Sequence, residues 1–366
     1  MFALPRLSSQ FPLRRLAVSL AALLLAASAQ AGPPRPGAVL VFPRVELDSS
    51  AGVDTEVMIA SRSTSPVSLF CWYVAALGTC GGGFNGPTCR TDADCVVGLS
   101  CVSDCREMDF IISLQPRQVV QWEIGSGLYG AAPPLDHRIP ATPTDPFLGA
   151  LRCVASSSAV DVIPAARNDL YGSASIVHAN PPDSASYAAL AIEATGTNNG
   201  DTTLCFGANS GGPCPVAEYA PCPAVLVLDH FFEGASLDGA PVRNELMLVP
   251  CSVDLTQAPG SAAPTTVDVL VFNEFEERRC TTLSVGCAGD VRMSTNPVFS
   301  VGVQGTLAGQ TRLRARSTLE TAHGTGVLGL ALESAVTAGR RFSAAHALAA
   351  QSQAVQNDSV RLIDLP

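Results

Sequence analysis

The sequence predicts an all-β protein of two tandem β-sandwich-like lobes, with a disulfide-tied loop insert in the first. Three observations carry that reading. Charged residues make up only 15% of the chain while hydrophobic residues make up 47%, a balance that suits half-buried strands better than solvated helices. Short apolar or β-branched runs recur between turn-rich segments. Six cysteines crowd into residues 71–105.

The chain opens with Arg6, Arg14 and Arg15, an apolar run from Leu16 to Ala29, and Ala29-Gln30-Ala31. This order predicts a signal peptide (1–31) cleaved after Ala31, hence a secreted, periplasmic or cell-surface protein with no transmembrane segment after cleavage. Cleavage leaves 366 − 31 = 335 residues and removes three arginines and no acids, taking the net charge from −10 to −13. There is no lysine: all 22 basic residues are arginine. An acidic surface of this kind excludes nucleic acid as a partner.

The first lobe, 32–240, begins with TEVMIASRSTSPVSLFCWYV from Thr55, two runs of alternating or β-branched residues joined by Ser63-Thr64-Ser65-Pro66, which form a hairpin or a sandwich-type strand pair. Further strands are expected at 109–114, 118–124, 150–156, 185–196 and 224–232. The second lobe, 241–366, has runs at 245–250 and from Thr265, where TTVDVLVFNEFEERRCTTLSV echoes the opening pair. The alanine-rich 343–356 is read as strand, loop, strand.

VFPRVELDSSAGVDTEV, VPCSVDL, VLVFNEFEERR and the ending RRFSAAHALAAQSQAVQNDSVRLIDLP together resemble a group of uncharacterised secreted β-rich proteins of high-GC bacteria. The resemblance implies an envelope or extracellular β-protein and carries no active site.

The cysteine spacings from Cys71 to Cys105 are x8, x8, x5, x5 and x3, unlike the paired short spacings of zinc sites, and an exported chain meets an oxidising compartment. Disulfide candidates are Cys71, Cys80, Cys89, Cys95, Cys101, Cys105, Cys205, Cys214, Cys222, Cys280 and Cys287. Of these, Cys89, Cys95, Cys101 and Cys105 are expected to pair among themselves, with Cys71 and Cys80 joined to each other or nearby. Thirteen cysteines leave one over, and Cys153 or Cys251 is the expected buried free thiol.

Catalytic motifs fail on context. GTGVLG (324–329) matches a dinucleotide fingerprint but lacks its strand, helix and acid, and GANSGG (207–212) is no nucleophile elbow around Ser210. If 229–233 is extended, Asp229, Phe231 and Glu233 share a face and His230 points away, which makes no compact acid-base site. Asp92 and Asp94 are turn formers in preference to calcium ligands. No catalytic residue, cofactor or metal site is therefore assigned. Two function classes remain: a non-catalytic binding, adhesion or structural module, and a secreted hydrolase such as a glycosidase, which needs only two well-placed carboxylates. For the first, the contact surface is the insert, with Phe84, Arg90, Asp92, Asp94 and Arg106 offered to an extracellular protein or glycan. The sequence leaves the oligomeric state open.

Overall fold

A computed structural model describes residues 35–81, 87–90, 92–102, 107–128, 138–158, 163–196, 199, 203–207, 216–237, 239–251, 253–254, 265–316 and 326–350. The leader, Phe84, Cys105, Arg106, Ser210, Cys214, Gly324 and the tail past 350 lie outside them. Regular helix among the described residues is confined to single turns such as Val301–Gln304.

The first sandwich has two antiparallel sheets. Its outer sheet runs in the order Pro182–Ala188, Leu170–Ala179, Val53–Ser61, Val119–Glu123. Its inner sheet runs Leu190–Ile192, Val39–Leu47, Phe147–Ser156, Val67–Ala75, Glu107–Leu114. The two runs flanking Ser63–Pro66 thus lie in opposite sheets, a sandwich-type pair. Val57 and Ile59 of the outer sheet face Leu69, Tyr73, Ile112 and Leu151 of the inner one in a common core. Across this core Trp122 Nε1 donates to Tyr73 Oη at 2.9 Å, so the two largest polar-tipped rings satisfy each other.

The second sandwich repeats the plan with different connections. One sheet runs Ser236–Leu237, Ala240–Pro250, Val327–Thr337, Arg340–Ala347, with Gly289–Arg292 also on Ala240–Pro250. The other runs Arg278–Val285, Thr265–Asn273, Ala308–Arg316, Val225–Phe231, Ala349–Ala350. Thr265–Asn273 and Arg278–Val285 form a direct hairpin, unlike the split pair they echo. Val327 begins a strand where the glycine motif would need a helix.

A third core joins the halves. In Val39–Leu47, Leu40, Phe42, Val45 and Leu47 enter the first core, while Val39 and Val41 pack with Met247, Val249 and Leu328 of the second sandwich. Leu246 and Leu248 point the other way, into the second core. Strands covered on both faces are buried almost continuously, which is why VLVFPRVEL does not alternate.

The disulfides correct several expectations. Cys71 pairs with Cys153, 82 residues away, because the two sit directly opposite on adjacent strands of the inner sheet. Cys251 pairs with Cys222. Neither Cys153 nor Cys251 is a free thiol, and Cys71 does not join the insert's cysteines. Among the described residues the free cysteine is Cys280, expected to be bridged; it stands exposed on Arg278–Val285, a strand at the rim of its sheet. Cys205 and Cys287 are disulfide-bonded.

Candidate recognition insert and its anchoring

The insert leaves the inner sheet after Val67–Ala75 and returns as Glu107–Leu114. At its base is a three-stranded sheet of Thr88–Cys89, Gly78–Cys80 and Cys101–Val102, in that order. Two interlaced disulfides, Cys80–Cys95 and Cys89–Cys101, tie it together. Each typically stabilises by about 2–4 kcal/mol by restricting the unfolded chain, which offsets the lack of a core in so short a segment.

The polar residues expected to meet a partner have internal work. Asp92 Oδ1 accepts from the Cys101 amide at 2.7 Å and Asp94 Oδ2 from the Arg90 amide at 2.8 Å, so both carboxylates pin the 3₁₀ turn at 92–94. The Arg90 guanidinium reaches out of the insert and pairs with Asp290 of the second sandwich. Phe84 and Arg106 fall outside the described residues.

Beside exposed Asp92, Asp94 and Ser100, the described part of the insert exposes large apolar side chains. Val96 is 72% and Val97 106% exposed, and Leu99 and Val102 are exposed beside them. Val96 to Leu99 form a turn closed by the Leu99 amide on the Val96 carbonyl, with Gly98 at φ 95° where a type II turn calls for glycine. Their signal in the sequence was VVGL (96–99), an apolar run in a polar, turn-rich loop with no strand to pair with.

Arg90 belongs to a buried ion network. Arg44 stands at a register break between Phe42 and Val45, and such bulges re-aim a side chain. Its guanidinium is 3% exposed and lies 2.6 Å from Glu46 Oε2, 2.6 Å from Glu245 Oε2 and 4.0 Å from Asp290 Oδ1. Arg292 adds a contact of 3.8 Å to Glu245. Three guanidinium groups, one each from the first sandwich, the insert and the second sandwich, therefore meet Glu46 of the first sandwich and Glu245 and Asp290 of the second. Burial alone raises Glu245, but Arg44, Arg90 and Arg292 outweigh it and hold the carboxyl below its ordinary range. Burial, with Arg292 and Arg44 nearby, lowers Arg90. Arg152 ties the same halves through Nη2, which donates to the carbonyls of Pro250 at 3.0 Å and Cys287 at 3.1 Å.

Elsewhere, His230 points inward, away from exposed Asp229, and packs edge-on against Phe232. Its ring nitrogens engage the Phe231 carbonyl and Thr311 Oγ1. Burial lowers its affinity for a proton. Glu233 Oε1 accepts from the Asn244 amide, so the Asp-His-Phe-Phe-Glu run is tied into the fold. A pocket lined by Ala75, Leu77, Thr79, Thr88, Thr144 and Phe147 at the foot of the insert has room for about one water.

No protein-family model and no curated protein matches the chain. Among solved structures, the viral chemokine-binding protein R17 encoded by rodent gammaherpesvirus Peru aligns over 87% of each chain, at 9% identity and a TM-score of 0.16. A likeness at that level carries no argument about fold or function. Among the described residues no helix is long and apolar enough to cross a membrane.

Proposed function

We propose that this chain is a secreted or cell-envelope binding module, exported on the leader 1–31, that grips a protein partner with the tip of its disulfide-tied insert. The observation that carries the reading is the exposure of Val96, Val97 and Leu99 on one turn, and of Val102 on the strand that follows, within one cross-linked insert. Side chains of this kind each gain about 1.5–3 kcal/mol when fully buried, and an insert already held in shape loses little entropy on docking. Connecting segments mounted on a rigid scaffold are the usual place for recognition. An apolar tip favours a protein over a glycan, whose hydroxyls need polar partners.

The hydrolase reading gains nothing from the convergent carboxylates. Glu46, Glu245 and Asp290 are matched one for one by guanidinium groups, whereas a catalytic acid needs a carboxyl held above its usual range. The test is attachment of the labelled, oxidised chain to the surface of its producing cells. Val96→Asp with Val97→Asp is expected to abolish attachment with the denaturation midpoint unchanged. Attachment equal to that of the parent chain rules out the tip as the contact.

A further inference from the structure

We infer that the insert is a zinc site in its reduced form: Cys80, Cys89, Cys95 and Cys101, freed as thiolates, converge on one position able to take a soft divalent cation. The register places them there. Cys80 lies opposite Cys101, and Gly78 lies opposite Cys89. Residues two apart on a strand share a face, and so do residues paired across strands. Cys80, Cys89 and Cys101 therefore project from the same face of the small sheet, and the turn at 92–94 returns Cys95 to it through its bond to Cys80.

Distances agree. The Sγ atoms of Cys80, Cys89 and Cys95 lie within 4.8 Å of one another, and Cys101 Sγ is bonded to Cys89 Sγ. A tetrahedral zinc with Zn–S bonds of about 2.3 Å needs sulfurs about 3.8 Å apart, so on reduction the two bonded pairs open to that distance while sulfurs of different pairs draw together around the metal. Gly78 keeps the space open: a Cβ there would stand 3.0 Å from Cys101 Sγ. The spacing along the chain is unlike a zinc knuckle because the ligands gather across three strands and not along one loop.

Oxidised sulfurs have no thiolate to offer, so the site exists only after reduction. A thiol reductant cleaves each disulfide by exchange: two reductant thiols become one disulfide, and two cysteine thiols appear. Zinc then displaces four protons, which pass to solvent. Accessibility makes the reduction selective. Cys95 and Cys101 are partly exposed, whereas Cys71 and Cys153 are fully buried.

The experiment uses the full chain, reduced under native conditions, freed of reductant without air, mixed with zinc alone and gel-filtered. The reduced chain is expected to retain one zinc that shields four thiols from alkylation, and the oxidised chain none. Cys280→Ser should leave retention unchanged, while Cys89→Ser with Cys101→Ser should weaken it at least tenfold, with the Cys71–Cys153 bond checked by peptide mass to show that the scaffold is intact. Retention equal in the double variant overturns the inference. So does a reduced chain whose four insert thiols react freely in the presence of zinc, or a chain whose insert disulfides resist native reduction.

Discussion

Replacing Arg44 with Met tests how the two sandwiches and the insert are held together. The substitution keeps most of the apolar stem and removes the charge. Removing one partner of a buried ion pair costs about 3–5 kcal/mol because the other charge is left uncompensated. Here Asp290 keeps Arg90 and Glu245 keeps Arg292, while Glu46 has access to water, so the loss belongs at the lower end, about 3 kcal/mol. An exposed salt bridge is worth about 0–1 kcal/mol, and the two cases are therefore separable. The assay is chemical denaturation at pH 7 with disulfides intact, read as a fall in midpoint at unchanged slope. Acid provides an internal control. Because Glu245 is held low in the folded state, its contribution is complete above the unfolded value of about 4.3 and is lost as pH falls through the lower folded value. The gap between parent and variant must narrow over that interval. A loss under about 1 kcal/mol at pH 7, or a gap that widens in acid, refutes the reasoning.

Three further outcomes are expected. Tyr73→Phe removes the acceptor of Trp122 Nε1 inside the first core, and denaturation should show a loss of about 1–3 kcal/mol. His230 binds a proton less readily when folded, so stability present above the unfolded value of about 6.5 is lost as pH falls toward the folded one; His230→Gln should flatten that dependence between pH 7 and 5.5, and an equal slope contradicts it. Alkylation of the folded, oxidised chain should label Cys280 among the described cysteines, as mapped by peptide mass, and Cys280→Ser should abolish that label.

The sequence made strands legible wherever one face is buried. Val53–Ser61 alternates in burial, with the β-branched Val53, Thr55, Val57 and Ile59 at inward positions. Val39–Leu47 is legible only with its partners known, since both of its faces are covered and its pattern carries no period. Strand order is what set the disulfides: Cys153 reaches Cys71 through sheet neighbours that no spacing along the chain reveals. The insert's charges drew attention as contact residues because charge in a loop reads as solvent-facing. Asp92 and Asp94 instead cap backbone amides, and Arg90 finds a buried carboxylate two hundred positions later. Among the described residues of the insert, the most exposed large apolar side chains are the valine pair, whose signal in the sequence is VVGL.

The central claim, that the insert tip is where a partner sits, is tested most directly by photo-cross-linking from position 97. A photoreactive side chain replaces Val97 in one preparation and Val119, 54% exposed on the outer sheet of the first sandwich, in another. Both are applied in oxidised form to the producing cells. A discrete cross-linked adduct is expected from position 97 and none from position 119. Adducts from 119 alone, or from both positions equally, contradict it.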